Sequence, residues 1–168
     1  MLCTINLSRQ SLADGKFSEF VVEQMQAANL PAGSLCFELA VEDAVVDPDA
    51  AFRFARRVQR RMCHIALTRF TGSVASLEVL RHAKARYIKI DGTIVRGLGQ
   101  DPVAVGRVKA ICRVARAIDA QLIAEFVETA EALKTLVALG VDFAQGFELG
   151  RPQPLATLLR AEQTSARG

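Results

Sequence analysis

Short apolar runs alternate along the chain with longer stretches in which apolar residues recur every three or four positions. Leu2 to Leu7 reads as a strand. Phe17 to Ala28 reads as a helix, with Phe20, Val21, Gln24 and Met25 spaced to share faces. The run Asn29-Leu30-Pro31-Ala32-Gly33 breaks it. A second strand is predicted over Leu35 to Ala40. Pro48 and Asp49 then open a helix reaching about Met62, with Phe52, Ala55 and Val58 facing inward. His64 to Thr68 is a third strand, and the glycine-bearing loop Phe70 to Ser73 leads into a helix over Ala75 to Ala83. Tyr87 to Ile90 is a fourth strand. Val103 to Ile118 is a helix, with Val108, Ile111, Ala115 and Ile118 on one stripe. Gln121 to Glu125 is a fifth strand. Thr129 caps a helix from Ala130 to Leu139, and Gly140 ends it. Phe143 to Phe147 is a sixth short strand, and Pro152 and Pro154 lead into a last helix through about Ala161.

Six repeats of strand then helix imply parallel strands with helices outside them, as an open sheet or a barrel. Polar residues sit at the C-terminal ends of these strands: Asn6, Glu38, Thr68, Lys89, Glu125 and Gln145. At a single strand, closing the strand or capping the next helix would explain such a residue. Six in a row favour a shared pocket at the end where α/β barrels carry their sites.

Composition changes this picture little. The 168 residues are 51% hydrophobic and 23% charged, enough for one folded domain. The net charge of +3 gives no reason to expect DNA as a partner. The densest basic run, Arg53, Arg56, Arg57, Arg60 and Arg61, has the spacing of a solvated helix face. Cys3, Cys36, Cys63 and Cys112 show no paired or metal-like spacing and read as reduced core residues of a cytoplasmic protein. Asn6, Ser8, Arg9 and Gln10 interrupt any leader-like apolar run at the start. No run approaches the roughly 20 apolar residues of a membrane span, so no membrane insertion is expected. His64 and His82 are expected to have no catalytic or metal role.

Several short motifs, in order, give the chain a specific likeness. Ile5-Asn6-Leu7-Ser8, Phe37-Glu38-Leu39, Ile88-Lys89-Ile90-Asp91, Ala124-Glu125-Phe126-Val127-Glu128-Thr129, Ala144-Gln145-Gly146-Phe147 and Gly150-Arg151-Pro152 together resemble the EAL domain, the bacterial fold that hydrolyses cyclic di-GMP. The resemblance runs from about residue 3 to residue 160. It departs from AEGVET at Phe126. It implies an eight-stranded modified (β/α) barrel, of which this chain shows about six β-α units. The first two strands, one carrying the Glu-Ala-Leu signature, are missing. The fold expected is thus an incomplete TIM-like barrel of the EAL type in a single domain, 1–168. An open barrel exposes strand edges, so a partner protein or a homo-oligomer is expected to cover the gap.

In active relatives two Mg²⁺ or Mn²⁺ ions activate a water and stabilise charge on phosphate. By resemblance, Asn6, Glu38 and Glu125 correspond to metal ligands and Lys89 to the lysine that orients the water. Gln145 corresponds to a nearby polar contact, and Glu128 to a glutamate bracing the loop after the third strand. The metal-bridging pair, Asp-Asp in the family, is here Thr68-Arg69, and Thr71-Gly72-Ser73-Val74 replaces Gly-Thr-Gly-Tyr. A hydroxyl and a cation in place of two carboxylates leave the metal and catalytic sites vestigial, with no cofactor expected. Arg69, if it points inward, would repel a metal and pair with Glu38 or Glu125. Lys89 would pair with Glu125 or Asp91, and Asp91 would serve the loop. Three functions follow from the resemblance: an inactive signalling domain acting through protein contacts; a metal-independent cyclic di-GMP receptor using Asn6, Glu38, Arg69, Lys89, Glu125, Gln145 and Arg151; and, least favoured, an active phosphodiesterase.

Overall fold

A computed structural model describes residues 2–154. Six strands, β1 (Cys3–Asn6), β2 (Leu35–Ala40), β3 (His64–Phe70), β4 (Tyr87–Ile90), β5 (Gln121–Ala124) and β6 (Phe143–Ala144), form one sheet in the order β1-β2-β3-β4-β5-β6. Every neighbouring pair is parallel. Sequential order with helical crossovers is the topology of a (β/α) barrel laid open, and it leaves β1 and β6 as free edges among the described residues.

The sides of the strands are set by alternation. On β2, Phe37 and Leu39 are buried against the helices, and Phe37 meets the ring of Phe54 edge-on at 5.3 Å. Ile65 and Leu67 on β3, Ile88 and Ile90 on β4, and Leu122 and Ala124 on β5 continue this layer. The alternate residues Cys36, Glu38, His64, Ala66, Thr68, Tyr87, Lys89 and Ile123 therefore face the concave side. Each large side chain buried in the helix-facing layer contributes about 1.5–3 kcal/mol.

The long helices match their predicted positions within a residue or three: α2 (Phe17–Ala27), α4 (Pro48–Gln59), α5 (Val74–Ala83), α7 (Pro102–Ala117) and α8 (Ala130–Leu139). Side-chain caps start several of them, with Asp47 accepting from Ala50, Ser73 from Ser76, Asp101 from Val103 and Thr129 from Ala132. Gly140, at φ +78°, closes α8. Three short helices were not visible in the apolar pattern: α1 (Arg9–Ala13), α3 (Val41–Val46) and α6 (Gly92–Arg96). Each is too short for a 3.6-residue repeat to emerge.

Several expectations need correction. Ile118 is 50% exposed, because α7 ends at Ala117 and its stripe runs through Ala104, Val108, Ile111, Cys112 and Ala115. Phe52 is only half-buried beside His82, and Phe54 takes the interior place on α4. Cys3 is exposed on the edge strand, unlike the other three cysteines. β6 stops at Ala144, where the chain turns back across Val127. The helix expected after Pro154 lies outside the described residues.

Candidate functional site

The strand C-termini bring Asn6, Glu38, Thr68, Lys89, Glu125 and Gln145 to one end of the sheet. The register sets Asn6 beside Glu38 and Ala40 beside Thr68. Lys89 lies at the centre. Its Nζ is 2.9 Å from both carboxylate oxygens of Glu38 and 2.9 Å from Oε1 of Glu125. The three side chains are 5%, 7% and 18% exposed, so this is a buried ion triad. Burial alone would lower the Lys89 pKa. Hydrogen bonds and charge from Glu38 and Glu125 outweigh it and hold the ammonium above its usual range. Sequence reasoning had paired Lys89 with Glu125 or Asp91, and Arg69 with Glu38 or Glu125; the Lys89–Glu125 pair is present and the Arg69 pair is not. Lys89 takes both glutamates, meeting Glu125 beyond the end of adjacent β5 and Glu38 across β3.

Arg69 turns away. A bulge between Leu67 and Phe70 on β3 puts Arg69 at φ +55°. Its side chain is 64% exposed and its nearest carboxylate is Glu42, at 4.0 Å. Asp91 caps α6, accepting from the Thr93 backbone at 2.9 Å and from its hydroxyl. Glu128 is exposed and makes no hydrogen bond to the loop after β3 among the described residues. That loop is held instead by Arg107, whose guanidinium donates to the Thr71 carbonyl at 3.2 Å. Gln145 pairs by its backbone with Ala124 and Val127, leaving its side chain at the rim.

Two depressions flank this triad. One, of about 420 Å³, is lined by Asn6, Glu38, Thr68, Arg69, Asp91 and Glu125 among others. The second, of about 670 Å³, is lined by Glu125, Glu128, Gln145, Phe147 and Arg151. The shared pocket foreseen from the strand ends is thus divided, and Glu125 and Phe126 line both parts. Phe126 adopts φ +57°, a left-handed conformation that costs a bulky L-residue roughly 1–2 kcal/mol. Its ring lies directly over Gly92, where any Cβ would collide with it, and Arg96 sits 5.2 Å above the ring centroid. Arg151 stands over Phe147 in the same way, at 5.0 Å. Gly92, Arg96 and Asp43 were missed in the sequence. Phe126 was visible as a departure from a glycine motif, and its consequence was not.

The donor set does not fit a pair of divalent cations. Two carboxylates remain at the centre, and both are already bonded to Lys89. Asp43 is engaged by Arg9 at 2.9 Å and Asp91 by its cap. Among the described residues no group of three or more His, Cys, Asp or Glu is arranged to hold a metal.

Behind Glu38 on the same strand, Cys36 is fully buried. Burial first, then the Glu38 charge, pushes its thiol up to about 12, with Lys89 opposing. Burial likewise raises Cys63 and Cys112. In the folded chain at pH 8, Ellman's reagent is therefore expected to titrate Cys3 promptly and the other three only on unfolding. Prompt release of more than one thiol would contradict this burial.

The EAL domain family profile matches residues 1–152. The chain is 33% identical over 161 residues to cyclic di-GMP phosphodiesterase PdeB of Shewanella oneidensis, covering 96% of the chain and 19% of that protein. It is 31% identical over 155 residues to PdeF of Escherichia coli, covering 92% and 21%. The chain thus spans about a fifth of the length of these curated relatives. Among solved structures, the EAL domain of Mycobacterium smegmatis DcpA superposes with a TM-score of 0.87 at 30% identity, over 96% of this chain and 72% of that one. The Pseudomonas aeruginosa FimX EAL domain bound to c-di-GMP gives 0.85 at 28%, over 90% and 62%. No helix among the described residues is long and apolar enough to cross a membrane. With the fold, the motif order and the profile in agreement, the chain belongs to the EAL domain family.

Proposed function

We propose that this chain is a non-hydrolysing EAL domain of bacterial cyclic di-GMP signalling. It works in the cytoplasm without a metal cofactor, through contacts with a partner protein or a second copy that covers the free edges at β1 and β6. The observation that carries this reading is Thr68-Arg69 standing where the family pattern calls for the metal-bridging Asp-Asp pair, with Lys89 as the cation that Glu38 and Glu125 hold. Thr68 and the outward-turned Arg69 add no carboxylate in compensation. The test is turnover of cyclic di-GMP with Mn²⁺ and with Mg²⁺. None is expected, and sustained, metal-dependent hydrolysis would overturn the reading.

A second reading, a metal-independent cyclic di-GMP receptor, is supported by the two arginine-bearing aromatic faces on either side of Glu125. Each sets a guanidinium, a donor for a phosphate oxygen, against the ring of an exposed phenylalanine. Titration calorimetry with and without Mn²⁺ separates the readings. Binding indifferent to metal supports the receptor. Silence at about 0.5 mM ligand, near −4.5 kcal/mol, leaves the protein-contact role.

The metal argument has its own check. Thr68→Asp with Arg69→Asp restores the family's two carboxylates at the end of β3, and aspartate tolerates the left-handed backbone at position 69. The double variant is expected to bind Mn²⁺ at least about tenfold more tightly than the unmodified chain, since ligand charge sets hard-cation affinity. Equal affinities would place the site elsewhere.

A further inference from the structure

Between residues 50 and 77 the chain carries six arginines, Arg53, Arg56, Arg57, Arg60, Arg61 and Arg69, and no aspartate or glutamate. Four of them, Arg53, Arg56 and Arg57 on α4 and Arg60 at its C-cap, follow the i, i+3, i+4, i+7 spacing of one helix face. The opposite face, with Ala51, Phe54, Ala55 and Val58, is buried. The same four arginines line a single depression of about 290 Å³ against the turn between α1 and α2. Its lining shares no residue with the two depressions around Glu125.

Folding alone does not explain this arrangement. Arg53 with Arg57, and Arg56 with Arg60, are like-charge neighbours one turn apart, which destabilises a helix. The helix dipole favours cations in the last turn and so accounts for Arg56 and Arg57, but Arg53 lies mid-helix. Only Arg57 is held, donating to Ser18 Oγ at 2.9 Å and to Glu19 at 3.0 Å. Arg53, Arg56 and Arg60 make no ion pair or side-chain hydrogen bond among the described residues. Asp14, the one acid lining the depression, accepts instead from the Lys16 backbone. Three guanidiniums thus face a concave surface with their donors unspent.

We propose that this face docks an acidic, extended segment of a partner protein. The occupant follows from the geometry. Seven residues of helix spread Arg53 and Arg60 along about 10 Å, so the guanidiniums form a row and do not converge on one anion. Carboxylates at alternate positions of an extended peptide are about 6.6–7 Å apart on one side, a spacing that matches such a row. Guanidinium forks take carboxylates two-handed, which gives the row register as well as attraction. The face is separate from the Glu38–Lys89–Glu125 site, so docking here is independent of whether that site binds a nucleotide.

The test is fluorescence anisotropy of a labelled peptide of about nine residues alternating Glu and Ala, titrated with the 168-residue chain at low salt. Saturable binding is expected, weakened by raised salt and lost by about tenfold or more in Arg53→Gln/Arg60→Gln. Arg81→Gln/Arg113→Gln, two exposed arginines on α5 and α7, serves as the control and is expected to change affinity less than about twofold. These surface changes leave the core intact, which circular dichroism verifies. No binding at about 1 mM chain overturns the proposal. So does an equal loss in the control pair, which would reduce the effect to net charge. Displacement of the peptide by equimolar inorganic phosphate also overturns it, in favour of a point-anion site.

Discussion

Lys89→Met is expected to lower the unfolding free energy by about 3–5 kcal/mol at pH 7, read from urea midpoints. Methionine keeps the length and apolar stem of the side chain, so packing changes little. What changes is that Glu38 and Glu125 become two buried carboxylates facing each other with no cation between them. Desolvation of a charge is offset only by its partner, and the variant keeps the penalty while deleting the offset. The loss should be largely undone in Lys89→Met/Glu38→Gln/Glu125→Gln, which removes charge from all three positions. Recovery there separates electrostatics from steric damage. Alkaline pH gives a second check with a fixed sign. The Lys89 pKa is raised in the folded chain above the ordinary 10.5. Its contribution is therefore whole below about 10.5, the unfolded value, and drains away as pH climbs through the folded value. The unmodified chain should lose stability above that point more steeply than Lys89→Met. A loss below about 1 kcal/mol at pH 7 would mean that water already satisfies the glutamates, and that the triad is no barrier to a metal.

That triad marks the limit of what the sequence made legible. Strand order, long helices and the strand-end polar residues all follow from short-range pattern, because a buried strand and an amphipathic helix advertise themselves within a dozen residues. Lys89, Glu38 and Glu125 could be placed at one end of the sheet by the same means. The Lys89–Glu125 pair was among the expectations; that Lys89 and not Arg69 would also take Glu38 was not. That choice depends on a bulge that rotates Arg69 outward, and no residue type signals a bulge there. Phe126 is the converse case. The motif showed a bulky residue where relatives keep a glycine, and the structure puts that residue at a positive φ. The direction of its ring was unreadable, because it depends on Gly92, 34 positions away, leaving room for it. The short α1, α3 and α6 escaped because five or six residues are too few for an apolar repeat to emerge; Ser8 and Asp91 cap α1 and α6, and α3 has no side-chain cap.

Gly146→Ala is expected to cost about 1–3 kcal/mol, with local opening larger than the global loss. A Cβ at Gly146 would collide with the Val127 backbone, and nothing there can rotate aside. The two segments are laced together around that contact. Gln145 N–H donates to the Ala124 carbonyl at 2.8 Å, Val127 N–H to the Gln145 carbonyl at 3.0 Å, and Glu148 N–H to the Val127 carbonyl at 3.1 Å. Prising them apart shifts Gln145, Phe147 and Arg151 together, which is one wall of the 670 Å³ depression. Hydrogen exchange at Val127 and Glu148 should therefore accelerate well before the sheet core responds. Gly92→Ala supplies the contrast. The three atoms nearest the added methyl all belong to the Phe126 ring, on a residue that is 53% exposed and can swing outward. Its expected cost is below about 1 kcal/mol, since relief by an exposed side chain is cheap. If both alanines cost the same, either Phe126 is locked by Arg96 more firmly than one cation–π contact allows, or the 145–148 segment yields as easily as a side chain. Exchange rates at Val127 distinguish the two, because only the second alternative frees that amide.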